Sequence, residues 1–230
     1  MVFYLNRIDS SKRTGDKEKL GGSTLKLGDF GIKQYELDRP TATLLRDSLL
    51  QSEEQILGLG ESQYDYPEDQ ITGKMPYYNL LSESEDWYTY CLPFVKKIVA
   101  DYLSLQNGDI IMCNSWGNIL RLNNKIYPHR HFGIPPTYDT NPQSVSGNIF
   151  LGAEIPTATT YILGGQKIDV PNEFGLFTLF PPNLSHAVRA YEGEGVRVSA
   201  AFDCICTSRD PDGKVTGNLW YKWTHNENLP

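Results

Sequence analysis

The sequence is short of cysteine and lacks any long apolar run. Its four cysteines, Cys91, Cys113, Cys204 and Cys206, show no paired spacing that would indicate a disulfide framework, so a reducing compartment is expected. No apolar stretch approaches the ~20 residues that a membrane-spanning helix needs. Residues 1–10 lack the basic and then apolar pattern of a secretory signal. These absences predict a cytoplasmic protein with no membrane partner.

Positive charge is also in the minority. The chain has 21 Lys and Arg against 28 Asp and Glu, which gives a net charge of −7. Because non-specific nucleic-acid binding needs clustered cations against phosphate, a nucleic-acid partner is not expected. Apolar residues make up 40% of the 230 residues, an ordinary globular composition with enough chain for one sizeable core.

The chain changes character near residue 109. Before it, apolar residues at helical spacing predict helices over 41–57 and 83–103, and Pro93 either kinks the second or divides it. Residues 10–23 read as an exposed loop, and the tyrosine-rich stretch 58–80 as irregular packing or a lid. After it, about eight short alternating runs with turn signals between them predict a β-sandwich or jelly roll. Residues 1–108 would pack on a β core of residues 109–230 that ends in a tail.

Three of the four histidines form a candidate metal site. His129 and His131 lie one residue apart on a predicted strand, where side chains two apart share a face and can converge on one ion. His186 begins another predicted strand, whereas His225 lies in the polar tail. Three imidazoles suit iron, zinc, copper or nickel. The His-x-His pair alone is equally consistent with ordinary core or surface histidines.

Arg197 and Ser199 form a candidate carboxylate site. They share one face of a predicted strand, where a guanidinium and a hydroxyl together could hold a carboxylate. An arginine inside the apolar run VRVSAAF needs an anionic partner if it is buried, and a bound dicarboxylate would supply one. The alternative is an ion pair with an acidic neighbour on the surface.

The order of these groups resembles that of the 2-oxoglutarate/Fe(II)-dependent oxygenases, which have His-x-acid, a distal His and then Arg-x-Ser. The resemblance extends to an oxygenase subfamily with SWxN, HxH, SGxYYL, LFPSxLxH and RxSxxF elements. The matching segments here are SWGN (115–118), HRH (129–131), SGNIFL (146–151), GLFTLFPPNLSHAV (175–188) and RVSAAFD (197–203). Together they span roughly residues 110–205 and leave the first hundred residues without a counterpart.

The resemblance implies a mainly β protein with flanking helices, built on a double-stranded β-helix of the cupin-like jelly-roll type. It implies Fe(II) and 2-oxoglutarate as cofactors, with His129 and His186 as metal ligands. Arg197 and Ser199 would anchor the distal carboxylate of 2-oxoglutarate, and Asn118 would line the same pocket. The implied activity is that of a dioxygenase or hydroxylase that uses dioxygen, releases succinate and carbon dioxide, and needs no side-chain base. The substrate, a small molecule or a peptide, is not implied, and a homodimer is left open.

His131 is where this chain departs from the family, because most members have Asp or Glu there. Three interpretations follow: His131 is the third ligand, it turns away and leaves a vacant position as in halogenating relatives, or a carboxylate such as Asp139 completes the site. The first is preferred because the spacing suits it. Tyr138, in the loop after this strand, is a candidate substrate contact.

Two other functions compete with the oxygenase that uses 2-oxoglutarate. A cupin-like three-histidine dioxygenase would bind its substrate directly to iron, and Arg197 with Ser199 would then hold the substrate's carboxylate. A non-catalytic jelly-roll module would use its histidines for a structural metal or for none. The fold alone does not separate these activities.

Overall fold

A computed structural model describes residues 26–131, 143–207 and 220–226. The predicted loop at 10–23, Tyr138 and Asp139 lie outside these residues. The helices are α1 (Arg39–Leu57), α2 (Leu80–Glu83) and α3 (Leu92–Leu103), with 3-10 helices at Leu27–Phe30 and Ile71–Tyr77 and a π-helical turn at Trp87–Cys91. None of the helices in the described ranges is long and apolar enough to cross a bilayer. The strands are β1 (Lys33–Glu36), β2 (Ile110–Leu120), β3 (Ile126–His129), β4 (Gln143–Gly152), β5 (Ala158–Leu163), β6 (Gln166–Pro171), β7 (Leu176–Phe180), β8 (Ser185–Val188), β9 (Arg197–Thr207) and β10 (Tyr221–Thr224).

The strands form two antiparallel sheets. The larger has the order β1-β7-β4-β9-β2-β10 and the smaller β3-β8-β5-β6. Strands adjacent in a sheet are therefore often distant in the chain, as expected for a jelly roll, and the predicted mainly β fold with flanking helices is confirmed. Among the described residues before 109, one strand, β1, joins the larger sheet, which the periodicity of that region did not predict.

Local sequence features explain in part where the two long helices, α1 and α3, begin. The side chain of Asp38 accepts a hydrogen bond from the Thr41 N–H (3.0 Å), so α1 begins two residues before the predicted start. The second predicted helix is divided into α2, the π-helical turn and α3. Pro93 lies in the first turn of α3, directly after the π-helical turn.

The main apolar core lies between the helices and one face of the larger sheet. On β9 the residues that enter it alternate along the strand: Val198, Ala200, Phe202, Cys204 and Cys206. The residues between them, which include Arg197, Ser199 and Asp203, therefore face the space between the two sheets. That space is lined by polar groups and holds the candidate site.

Residues 58–80 run beside the part of β2 that β10 does not pair. The Gly117 N–H donates to the Tyr78 hydroxyl (2.8 Å), and the Asn79 amide donates to the Cys113 carbonyl (3.0 Å). Thr72 donates to Asn118 (2.9 Å) from the same side. This stretch therefore completes the edge of the larger sheet by packing and hydrogen bonding.

Candidate metal centre

Strands β3 and β8 bring the three predicted histidines together. His129 and His186 are direct cross-strand partners. His131 lies just beyond the end of β3, where its backbone N–H donates to the Pro182 carbonyl (2.9 Å). The ligand atoms of the three rings lie within 4.8 Å of one another.

In each imidazole, Nδ1 points away from the centre of the cluster and lies within hydrogen-bond distance of an acceptor. Nδ1 of His129 lies 2.8 Å from the Tyr127 carbonyl oxygen, and Nδ1 of His186 lies 3.1 Å from that of Leu184. Nδ1 of His131 lies 2.7 Å from Oδ1 of Asp203. Because each partner can only accept, each Nδ1 carries the proton, and Nε2 is left to face the centre of the cluster.

The surroundings keep these rings in the form that binds metal. Burial lowers the pKa of His186 well below its ordinary value, and the neighbouring His129 and His131 lower it further. Burial also lowers the pKa of His129, against a smaller opposite effect of the Tyr127 carbonyl. Both rings are therefore neutral at neutral pH, with a lone pair on Nε2.

The donor set fits a divalent metal ion. Nε2 of His131 and Nε2 of His186 lie 3.2 Å apart, and with both Nδ1 atoms protonated this distance brings two acceptors face to face. Two nitrogens at that separation, each ~2.1 Å from one ion, would subtend an angle of about 100° at it. A cation relieves the unfavourable contact between the lone pairs, and an all-imidazole set suits zinc, copper, iron or nickel.

Aromatic rings fix the orientation of the histidines. Trp116 stacks on His131, with ring centroids 5.7 Å apart and planes at 28°. Phe180 packs edge-on against His186 at 4.7 Å, and Tyr161 stacks on it at 5.9 Å. Only 6% of the His131 side chain is exposed, so its ring is held inside the cluster.

Arg197 is a buried cation without an acidic partner among the described residues. It is 3% exposed, and its Nη1 donates to Ser199 Oγ (2.9 Å). Its Nε is buried without a hydrogen-bond partner, and the guanidinium carbon lies 5.4 Å from the centre of the Phe150 ring. Burial lowers the pKa of Arg197 to about 10, which still leaves it charged at neutral pH.

Arg197 and the histidines share one interior. Tyr161 stacks on His186, and its hydroxyl accepts from the Asn148 amide (3.3 Å). Burial raises the pKa of this hydroxyl, and the nearby Arg197 guanidinium opposes that effect in part. Asn118 is the cross-strand partner of Ser199, so it lies beside the arginine, and its side-chain oxygen accepts from Thr72. All six residues predicted for the site therefore line the space between the sheets.

Four residues of the site were not predicted from the sequence: Asp203, Ser146, Tyr161 and Thr72. A signal existed for Asp203, because the alternation that joins Arg197 to Ser199 continues to it along β9. Nothing local marks the others. Ser146 meets Asp203 only through the pairing of β4 with β9, and Thr72 lies in an irregular segment.

Comparison with known proteins gives structural relatives only. No family model matches the chain, and no curated protein is significantly similar to it. SnoK, a non-heme alpha-ketoglutarate-dependent carbocyclase from nogalamycin biosynthesis, has 13% identity and a TM-score of 0.60, over 86% of this chain and 94% of SnoK. HygX from Streptomyces hygroscopicus, solved with nickel and 2-oxoglutarate, has 15% identity and a TM-score of 0.56, over 77% of this chain and 83% of HygX.

A third relative is ThoJ, a non-heme monooxygenase, with 12% identity and a TM-score of 0.53, over 74% of this chain and 71% of ThoJ. At such identities the similarity shows the fold alone. The chain has the jelly-roll fold of these three proteins. SnoK depends on alpha-ketoglutarate, and HygX was solved with the same acid, there called 2-oxoglutarate.

Proposed function

We propose that the protein is an oxygenase dependent on Fe(II) and 2-oxoglutarate that hydroxylates a small molecule or peptide. One observation carries the proposal: the buried guanidinium of Arg197 lacks an acidic partner among the described residues and shares the intersheet space with three converging imidazoles. A buried charge needs a counter-ion. A dicarboxylate that also reaches a metal held by the histidines meets that need.

The residues take distinct roles under this proposal. His129, His131 and His186 hold the metal through Nε2, and Arg197 with Ser199 binds the distal carboxylate of 2-oxoglutarate. Asn118 lines the same pocket beside Ser199. The bound iron and 2-oxoglutarate supply the oxidising chemistry, in which dioxygen is consumed and succinate and carbon dioxide are released.

The protein's own contribution is orientation and the exclusion of water. Trp116, Phe180 and Tyr161 pack against the imidazoles of His131 and His186, which limits the rotation of these two rings. Arg197 is fixed by Ser199 and by the Phe150 ring before any ligand arrives, which reduces the entropy lost on binding. No described side chain has to act as a base. The four cysteines are free, which suits the reducing cytoplasm.

Ligand binding and turnover test the proposal together. Calorimetry with Mn(II) and without oxygen should show 2-oxoglutarate binding, and iron-loaded protein should form succinate and consume dioxygen. Arg197→Ala should weaken 2-oxoglutarate binding by at least about 100-fold, since two charge-assisted hydrogen bonds would be lost. Arg189→Ala is the matched control, because Arg189 is exposed and pairs with Asp169.

The three-histidine donor set also fits a dioxygenase that does not use 2-oxoglutarate, in which Arg197 holds the substrate's carboxylate. Metal binding without 2-oxoglutarate binding, together with dioxygen uptake on a carboxylate substrate, would favour that enzyme. A chain that binds neither metal nor 2-oxoglutarate would be a non-catalytic module.

A further inference from the structure

The three histidines are not held alike. His129 and His186 each donate to a backbone carbonyl, which is neutral. His131 donates to the carboxylate of Asp203 (2.7 Å), so one imidazole of the set carries a negative charge on its far side. Among the described residues, Asp203 is the acid in hydrogen-bond contact with the cluster.

The position of Asp203 is fixed by the larger sheet. Ser146 is its cross-strand partner on β4, and the Ser146 hydroxyl donates to Oδ1 of Asp203 (2.6 Å). The same oxygen accepts from Nδ1 of His131. Trp116 stacks on the face of the His131 ring and limits its rotation. Ser146, Asp203 and His131 therefore form a hydrogen-bonded chain that ends at Nε2 in the centre of the cluster.

The hydrogen-bonded chain from Ser146 to His131 can help to balance the charge of a bound metal ion. Three neutral imidazoles leave the two positive charges of a metal ion uncompensated in a partly buried site, where electrostatic energies are larger than in water. A carboxylate hydrogen-bonded to a metal-bound imidazole makes the ligand nitrogen more basic and fixes its orientation.

We propose that Asp203, oriented by Ser146, is a positioning residue that acts through His131: it supplies the negative charge that the three-histidine set lacks and strengthens the bond from His131 to the metal. The inference rests on the proposed metal site and adds to it the residue that tunes the site. It also assigns a specific role to His131, which stands where the His-x-acid pattern has an acidic residue.

Metal titration of two Asp203 variants separates charge from hydrogen bonding. In Asp203→Asn the side-chain oxygen can still accept from both Ser146 and His131, so the ring stays in place and only the charge is lost. In Asp203→Ala the charge and the hydrogen bonds are both lost. We expect Fe(II) affinity to fall about 10-fold in the first and up to about 100-fold in the second, the range found when such partners are removed.

A spectroscopic readout distinguishes this role from a merely structural one. The visible bands of bound Co(II) should shift in Asp203→Asn and Asp203→Ala, because the ligand field of His131 changes. Ser146→Ala should give a smaller shift in the same direction. Asp169→Asn is the matched control, since it removes one negative charge from an exposed pair with Arg189 and should change neither affinity nor spectrum.

The possible failures are distinguishable. Wild-type affinity and wild-type Co(II) bands in both Asp203→Asn and Asp203→Ala would overturn the role of Asp203. If His129→Ala alone then loses metal binding, the proposed metal site still stands. A wild-type chain that binds neither Fe(II) nor Co(II) would overturn both. Because Asp203→Asn is isosteric, it keeps the test decisive even if Asp203→Ala does not fold.

Discussion

At the scale of single residues, Arg197 shows how a binding site can cost stability. Its guanidinium is buried, donates to Ser199, and has no carboxylate partner among the described residues. Burying an uncompensated charge is unfavourable. Under the proposed function, the ligand-free fold bears this cost, and binding of an anionic ligand would recover that free energy.

Replacing this charge should stabilise the ligand-free protein. Methionine can fill much of the same space beside Phe150 without a charge, so Arg197→Met should raise the free energy of unfolding by about 1–4 kcal/mol, as when buried charges are replaced by packed apolar groups. Denaturant unfolding without metal or 2-oxoglutarate measures this. Arg189→Met, at an exposed site, should stay within about 0.5 kcal/mol of wild type. A clear loss of stability in Arg197→Met would mean that the guanidinium has a partner within the folded chain.

The sequence was most informative where chemistry depends on close neighbours in the chain. His129 with His131, and Arg197 with Ser199, are pairs two residues apart, and an alternating pattern places such pairs on one face. His186 was found through its order after a turn. Tyr161 could not be found in this way, because its contact with His186 depends on which strands pair, and strand order is not visible in local patterns.

At the scale of elements, the irregular stretch 58–80 protects an exposed edge of β2. Among the described residues, β10 pairs with residues 110–113 of β2, and no described strand pairs with the remaining backbone groups on that side of β2. Tyr78 accepts a hydrogen bond from the Gly117 N–H in this part of β2, and Asn79 donates to the carbonyl of Cys113, where the pairing with β10 ends. Unpaired strand edges promote aggregation, so covering this one also protects the fold.

Removing the Tyr78 hydroxyl should destabilise the protein. Tyr78 is 2% exposed, and Tyr78→Phe leaves the buried Gly117 N–H without its acceptor. The expected loss is about 1–3 kcal/mol, the cost of a buried group left unsatisfied. Chemical denaturation measures it, with Tyr64→Phe as the control because the Tyr64 side chain is largely exposed. Equal stability of the two variants would show that water or another group satisfies Gly117.

This stretch is also where the sequence predicted least. Its glycines, prolines and tyrosines have no period, so packing and a lid could not be separated. The structure shows packing for Tyr78, and it also places Thr72 against Asn118 at the site. The conformation of this stretch depends on its packing against β2, and the local sequence pattern does not show which strand the stretch will cover.

At the scale of the whole molecule, the two faces of the larger sheet divide stability from function. A β-sandwich usually buries its main apolar core between its sheets. Among the described residues, the largest apolar cluster lies under the helices, and two smaller clusters lie between the sheets, one around Tyr161 and Phe180 and one around Leu120 and Ile126. The helices therefore supply most of the apolar core, and the intersheet space holds the polar groups of the candidate site.

Ligands in that space should stabilise the whole domain. Ni(II) at 100 times its Kd should add about 2.7 kcal/mol, because only the folded chain assembles the histidines. For a chain of this length that corresponds to a rise in Tm of about 5–10 °C, measurable by thermal unfolding. With Ni(II) present, 2-oxoglutarate should raise the Tm further, and Arg197→Met should keep the first rise and lose the second.

Histidine variants show whether the stabilisation comes from the cluster. His186→Ala should lose the rise with Ni(II), whereas His225→Ala should keep it, because the described contacts of His225 are backbone hydrogen bonds with Gly108 and Asp109. The comparison uses the change in Tm for each variant with and without metal, so a lower Tm of the metal-free His186→Ala protein does not affect it. An equal rise in both variants would place the metal elsewhere on the chain. Loss of the rise in His186→Ala alone would show that a metal at the intersheet site stabilises the same fold that the helices support from the other face of the larger sheet.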